Sequence, residues 1–420
     1  MIFICEAVIA LIIYYEYKKY KTAVAPIVIL GGVYLIFIPL INTIGVSLDF
    51  LKLSDKTIIL FTLFLLLLYL SGRITGVFYS KKKRCNVIEI EKKIILKENN
   101  IWHLYMIGLG AYVISLIQVI SKYGFENTKS NAFGPFAHIG FISRCLFPII
   151  VYYAIKRKKI KYIMSIIINI IALILFKGKY HLYIAISAAV VLFLLLRKDI
   201  KISRIIKIAI STFCIALVLF VSVYTILPNI IAGDTSSVDM MTGIRFSVKH
   251  FFHYLFCPFI TSNEYFNNPC YLGMDMGLKT VLNPFYRLFQ WIYGDGKYFD
   301  PIISLWPTVD LVGNTGNVGG IFSETVLNIG YAASLIYIFL IGCLVYFFFY
   351  KTIFKGKRVV TSIYLIGMFM VCFFCNYFSL LPNLECFIIC YLVDVIFLDN
   401  RIKMGKYKLI TKKKRWIFRV

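Results

Sequence analysis

Apolar runs of roughly 15 to 25 residues, separated by short turns, fill this 420-residue chain almost from end to end. A helix of about 20 such residues matches the ~30 Å hydrocarbon core of a bilayer, so the runs are expected to be membrane spans. Composition agrees. Hydrophobic residues make up 60% of the chain and mean hydropathy is +0.81, well beyond the apolar share of an ordinary soluble domain.

Polar punctuation between the runs carries mostly one sign. Of the 46 Lys+Arg, 33 fall in six blocks: Lys18 to Lys21, Lys81 to Lys97, Lys156 to Lys161, Arg197 to Lys207, Lys351 to Arg358, and Arg401 to Arg419. A formal charge of +26 gathered into one groove would suit a nucleic acid, but cations spaced at the ends of apolar runs are topology signals, and no nucleic-acid partner is expected. Loops rich in Lys/Arg stay in the cytoplasm, so all six blocks belong on one side and an even number of spans separates neighbouring blocks. That arithmetic is met by spans near 2–16, 23–44, 57–79, 100–120, 137–155, 162–176, 181–196, 206–227, 325–350, 359–380 and 383–399. The expected fold is an all-α polytopic integral membrane protein of about eleven transmembrane helices, amino terminus outside and carboxyl terminus inside. Residues 162–196 form a hairpin rather than one overlong helix, because basic blocks flank both ends; its turn, Lys177 to His181, lies outside. No cleavable signal peptide is expected, since the first apolar run has neither a basic n-region nor a small-residue cleavage site.

One interval breaks the rhythm. From Leu227 to about Gly320 the chain is rich in aromatic, Asn, Gly and Pro residues and carries two histidines, five Lys/Arg and seven Asp/Glu. The organisation is therefore a membrane bundle over 1–226, an extracytoplasmic loop over 227–320 with short interfacial helices, a second bundle segment over 321–400, and a basic cytoplasmic tail over 401–420. Chemistry is expected in the loop, where the scaffold leaves side chains accessible. Most of the eleven cysteines lie in spans as small apolar filler, while Cys257 and Cys270 share the loop and leave a disulfide open.

Within the loop, Met240 to Phe256 has the spacing of an amphipathic helix ended by Pro258. Ile244, Val248, Phe251, Phe252 and Leu255 form its apolar face, and Arg245, Lys249 and His253 follow at i, i+4 and i+8 beside it, with His250 adjacent. Such a helix can lie in the membrane interface and meet an anionic head group; solvated charges on a helix docked to the bundle would give the same pattern. Asn283-Pro284 opens a second short helix that packs Arg287 among aromatics, suited either to interfacial anchoring or to stacking on sugars. Asp310 precedes Gly313-Asn314-Thr315-Gly316-Asn317-Val318-Gly319-Gly320, whose backbone N–H groups would admit a phosphate at the start of the next helix, or which links flexibly to it. Glu324 stands in that helix's first turn.

Three residues sit where charge is costly. Arg144, Arg73 and Asp394 need partners or a wet cavity at membrane depth; Arg73 can snorkel toward the cytoplasm, whereas Arg144, nearer the outer side, is expected to function. Lys179, at the outer vertex of the hairpin, would join the same cluster. The chain has no G-x-x-x-x-G-K-[ST] loop, no H-E-x-x-H, no G-x-S-x-G and no two related halves, which favours an enzyme taking an activated, membrane-delivered substrate. Asp234, Asp239 and Asp310 are too scattered to argue a metal, and neither metal nor cofactor is expected.

The layout resembles the oligosaccharide repeat-unit polymerases of bacterial surface polysaccharides, the O-antigen and capsule polymerases often called Wzy. The resemblance rests on ten to twelve spans, basic cytoplasmic turns and one large late loop, and locally on Lys177-Gly178-Lys179, Gly243-Ile244-Arg245, and Asn314 to Gly320 running through Glu324-Thr325-Val326-Leu327-Asn328-Ile329-Gly330. It implies a GT-C-like glycosyltransferase of the bacterial inner membrane, joining undecaprenyl-diphosphate-linked oligosaccharides on the outer leaflet alongside a flippase and a chain-length regulator. On that basis Arg245, Lys249, Arg144, Lys179 and Arg287 are the expected diphosphate contacts, with Asn314 and Asn317 in the glycine-rich turn. His250, His253, Glu324 and Asp310 are the available bases for the acceptor hydroxyl, His253 and Glu324 preferred. A lipid-linked oligosaccharide flippase and an O-antigen ligase are the rival expectations.

Overall fold

The computed structural model describes residues 1–79, 85–124, 134–176, 179–197, 240–268, 309–311, 314–316 and 318–399. The expected span 206–227, the basic stretches 81–84, 201–207 and 401–419, and the sites Arg287, Asn317 and Cys270 lie outside the described residues.

Helices dominate because apolar residues run all round most segments, leaving backbone groups no partner but their own chain. In order they are α1 (Ile2–Tyr20), α2 (Pro26–Leu40, continuing as a π turn Ile41–Gly45), α3 (Asp55–Val77), α4 (Val87–Leu96), α5 (Glu98–Tyr123), α6 (Pro135–Arg157), α7 (Ile160–Leu175), α8 (Lys179–Leu196) and α9 (Met240–Asn267). After strands β1 (Val309–Leu311) and β2 (Asn314–Gly316) come α10 (Gly320–Lys355), α11 (Val359–Val371), a 3-10 turn Tyr377–Ser379, and α12 (Leu381–Val393, with a π turn Asp394–Leu398). Among the described residues six helices are long and apolar enough to cross a membrane: Pro26–Gly45, Asp55–Val77, Glu98–Tyr123, Pro135–Arg157, Gly320–Lys355 and Leu381–Leu398. Ile160–Leu175, Tyr180–Leu196 and Val359–Val371 are shorter apolar helices.

Side-chain placement fits a lipid solvent. Ile36, Ile107, Ile117, Ile174, Ile336 and Leu340 point outward, while Tyr34, Tyr105, Tyr153, Tyr346, Tyr350 and Tyr364 are fully buried. Exposed apolar surface on this scale would be a liability in water and is the stable arrangement in hydrocarbon. The chain is thus a membrane-embedded helical protein. Small residues set the closest approaches: a Cβ on Gly108 would stand 2.6 Å from the Ser143 nitrogen, joining α5 to α6, and one on Gly367 would stand 2.6 Å from Ala188, joining α11 to α8.

Contacts sort the loops into two ends. At one, Lys93 Nζ donates to the Gly356 carbonyl (2.7 Å), Lys156 pairs with Glu91 (2.9 Å), Arg157 with Glu98 (2.7 Å) and Arg358 with Asp399 (3.1 Å), and the Tyr20 and Tyr350 hydroxyls meet at 2.8 Å. The described parts of four basic blocks therefore share an end. At the other end Ser54 N–H donates to Asn263 (2.8 Å), Tyr180 stacks on Tyr377 at 5.6 Å, and α6, α8 and α12 all begin.

Four features differ from the sequence-based expectation. α9 does not stop at Pro258 but runs to Asn267, and its second half is core: Phe256, Phe259, Ile260 and Phe266 are buried against Tyr34, Phe37 and Phe61. Burial of that aromatic face outweighs the one hydrogen bond a proline removes. α10 starts earlier than residue 325 and is interrupted at Gly330 (φ 73°), so Gly320 to Ile329 is a separate half-helix. Asp310 and Asn314 fall in a two-stranded antiparallel ladder, with Asp310 opposite Thr315 and Leu311 opposite Asn314, added to a fold expected to be all-α. Finally α4, capped by the Asn86 side chain on Ile88 N–H (3.1 Å), turns what looks like a basic loop into a docked amphipathic helix.

Candidate functional site

Arg144 lies on α6 about 14 Å along the axis from its first residue, by the helical rise. Its side chain is enclosed by α8 and α12 and only 3% of the residue is exposed. Nη1 lies 2.6 Å from His181 Nδ1, and the guanidinium rests 4.4 Å from the Phe141 ring centroid. A guanidinium can only donate, so His181 Nδ1 accepts and the neutral imidazole carries its proton on Nε2. Arg144 Nε is buried and meets no acceptor, and no carboxylate pairs with Arg144 among the described residues. A buried cation left this way costs several kcal/mol unless an anion joins it. Three helix amino termini at the same end add partial positive charge.

Beside it, His138 Nδ1 and Glu385 Oε2 are 2.7 Å apart, linking the first turns of α6 and α12. A polar line leads on from Arg144. Tyr180 precedes His181 and stacks on Tyr377; Asn376 N–H donates to Glu324 Oε2 at 2.5 Å, and Gly319 N–H to Glu324 Oε1 at 3.1 Å. Glu324 is wholly buried, and its carboxylate closes both the start of the half-helix and the non-helical stretch after α11. Ser262 of α9 reaches the same junction through Ser323 (2.7 Å) and the Gly319 carbonyl.

The α9 candidates form a second group. Lys249 Nζ lies 3.4 Å from Asp49 at the rim of a cleft of about 400 Å³ lined by Ser47, Leu48, Ile244 and Val248. His253 is 7% exposed, stacked on Phe50 at 6.3 Å and on His250 at 6.2 Å. Arg245 lies on the same helix, one turn before Lys249, Lys179 opens α8 two residues before His181, and the ladder holding Asp310 and Asn314 contacts α9.

The other costly charges have ordinary explanations. Asp394 accepts from Val360 N–H (3.0 Å), Thr361 N–H (2.8 Å) and Thr361 Oγ1 (2.7 Å), which makes it the amino-terminal cap of α11. Arg73 is exposed and rests on Tyr69.

Sequence reasoning singled out Arg144 and passed over His138, Glu385, Tyr377 and the ring of His181. Polar residues in the first turns of the fifth and last spans were the available signal. The expectation that the chain holds no C-x-x-C spacing is wrong: Cys372 and Cys375 have it, line the stretch that Glu324 closes, and are both buried. Compared with protein-family models, with curated proteins and with solved structures, the chain matches none.

Proposed function

We propose that the protein is a polymerase of undecaprenyl-diphosphate-linked oligosaccharide repeat units for O-antigen or capsule, a glycosyltransferase of the bacterial cytoplasmic membrane. It has about eleven spans, the amino terminus outside and the carboxyl terminus inside, and works at the end opposite the basic turns. One observation carries the assignment: Arg144 is buried with no carboxylate partner among the described residues, beside a histidine that turns a proton-bearing nitrogen away from it. Bidentate donors in a dry site suit phosphate oxygens, and fixed cations there stabilise the charge that grows on a departing diphosphate. The apolar surround suits a polyprenyl tail, and the aromatic-rich 227–320 segment suits glycan.

The test has two parts. Cysteine accessibility is expected to place Ser47 and His250 outside and Lys156 and Lys357 inside. Deleting the gene is expected to leave surface glycans capped at a single repeat; a cell with no surface glycan would mean a flippase or a ligase instead, and His250 or Asn314 in the cytosol would end the proposal.

A further inference from the structure

Resting on that function, we propose that His181 is a fixed hydrogen-bond donor to the lipid diphosphate, carrying the pull of the buried Arg144 outward to a phosphoryl oxygen. The two side chains touch directly, Nη1 to Nδ1 at 2.6 Å. Because a guanidinium never accepts, this contact takes up the one basic lone pair of the neutral imidazole and leaves the proton on Nε2. That excludes His181 as the base for the acceptor hydroxyl, since an imidazolium would set one N–H against another at this distance. What the ring offers is an N–H, and its partner is an acceptor oxygen.

Packing keeps that N–H aimed. The His181 ring lies 3.7 Å from the Tyr180 ring and 6.4 Å from Phe141, centroid to centroid, and Tyr180 is itself stacked on Tyr377 at 5.6 Å. Turning the imidazole over would put a carbon against Arg144 and forfeit the 2.6 Å bond, so tautomer and donor direction are set together. Arg144 is held in turn by the Phe141 face at 4.4 Å and by Cys386 Sγ at 4.0 Å. Among the described residues no acceptor meets His181 Nε2, and none meets the buried Arg144 Nε. Two N–H groups without an acceptor, one on each member of a bonded pair, suit a ligand with several acceptor oxygens, as a diphosphate has. A second cation beside Arg144 would add repulsion and another desolvation cost; a neutral imidazole polarised by the first adds a strong donor with neither.

The experiment uses the full chain in nanodiscs with two probes, undecaprenyl diphosphate and undecaprenol, which keeps the tail and lacks the anion. His181→Asn puts an amide oxygen where Nδ1 accepts from Arg144 and nothing at the position of Nε2; His181→Gln reaches that position with an amide N–H. His181→Asn is expected to bind undecaprenyl diphosphate about 10-fold more weakly than wild type, the size of a lost hydrogen bond to a charged oxygen, and His181→Gln to stay within about 3-fold. All three proteins are expected to bind undecaprenol alike. Nitrogen-15 spectra of histidine-labelled wild type, with the signal assigned by its loss in either variant, are expected to show His181 neutral and protonated on Nε2. An imidazolium there at pH 7 would overturn the donor role even if His181→Asn folds poorly. So would undiminished binding of undecaprenyl diphosphate by His181→Asn, a loss in His181→Gln as large as in His181→Asn, or a loss that extends to undecaprenol, and each would leave the polymerase standing. Wild-type protein that does not bind undecaprenyl diphosphate would remove both.

Discussion

The two ends of the bundle handle charge in opposite ways. At the basic end four described cations are answered by acceptors of the bundle: Lys156 meets Glu91, Arg157 meets Glu98, Arg358 meets Asp399, and Lys93 finishes α10 on a carbonyl. At the opposite end Arg144 is enclosed without a counter-charge among the described residues and finds neutral groups, the His181 imidazole, the Phe141 ring, the Cys386 thiol and the Tyr112 hydroxyl. Charge that fixes topology is neutralised locally, whereas under the proposed function the charge kept for a ligand is left open.

The largest expected effect breaks the contrast directly. Arg144→Ala should weaken undecaprenyl diphosphate binding and slow chain extension by about 100-fold or more, and Arg144→Lys should recover only part, because lysine cannot grip two phosphate oxygens. Arg358→Ala, at the other end, should leave both within about 2-fold, since its guanidinium is taken up by Asp399 away from the proposed site. Isothermal binding and glycan length profiles check the two together. Equal losses would mean that the buried cation is structural, like the paired ones.

Next in size is Asp394→Ala, expected to lower stability by about 3 kcal/mol, because two backbone N–H groups at the start of α11 lose their acceptor inside the bundle. Glu324→Ala should be comparable, orphaning the N–H groups of Gly319 and Asn376. Thermal unfolding in detergent measures both. If Glu324→Gln, which keeps one of the two acceptors, is as stable as wild type yet abolishes extension, Glu324 is the base. That outcome would place the proton transfer at the half-helix junction.

Much of this was legible in the sequence. The hairpin of α7 and α8 follows from basic blocks on both flanks, since a single helix there would drag one block across the membrane. Arg144 stood out because charge at that depth needs a reason. Its partner did not, because His181 is 37 residues away and no local periodicity pairs them. Pro258 misled for the opposite reason: a local rule ends a helix there, and the tertiary burial of Phe256, Phe259 and Phe266 carries it through. The same limit applies to Glu324. A carboxylate in a first turn looks available until the distant Asn376 N–H is found on it.

The smallest effect concerns α4, the element least visible beforehand. Its Glu91 is held below the usual carboxylate range by the Tyr152 hydroxyl, at 2.6 Å, with Lys156 at 2.9 Å helping. A carboxyl whose folded-state affinity for protons is reduced stabilises the fold above its ordinary value near 4.5, and that contribution fades as pH falls through its lower folded value. Glu91→Gln should therefore cost a degree or two of thermal stability at pH 7, and the gap from wild type should close toward pH 3, by about that order for a half-solvated pair. Chain extension should be unchanged throughout. Because Glu91 sits at the end where charges answer one another, a loss of extension at constant stability would show that this end takes part in the reaction and would dissolve the division between the two.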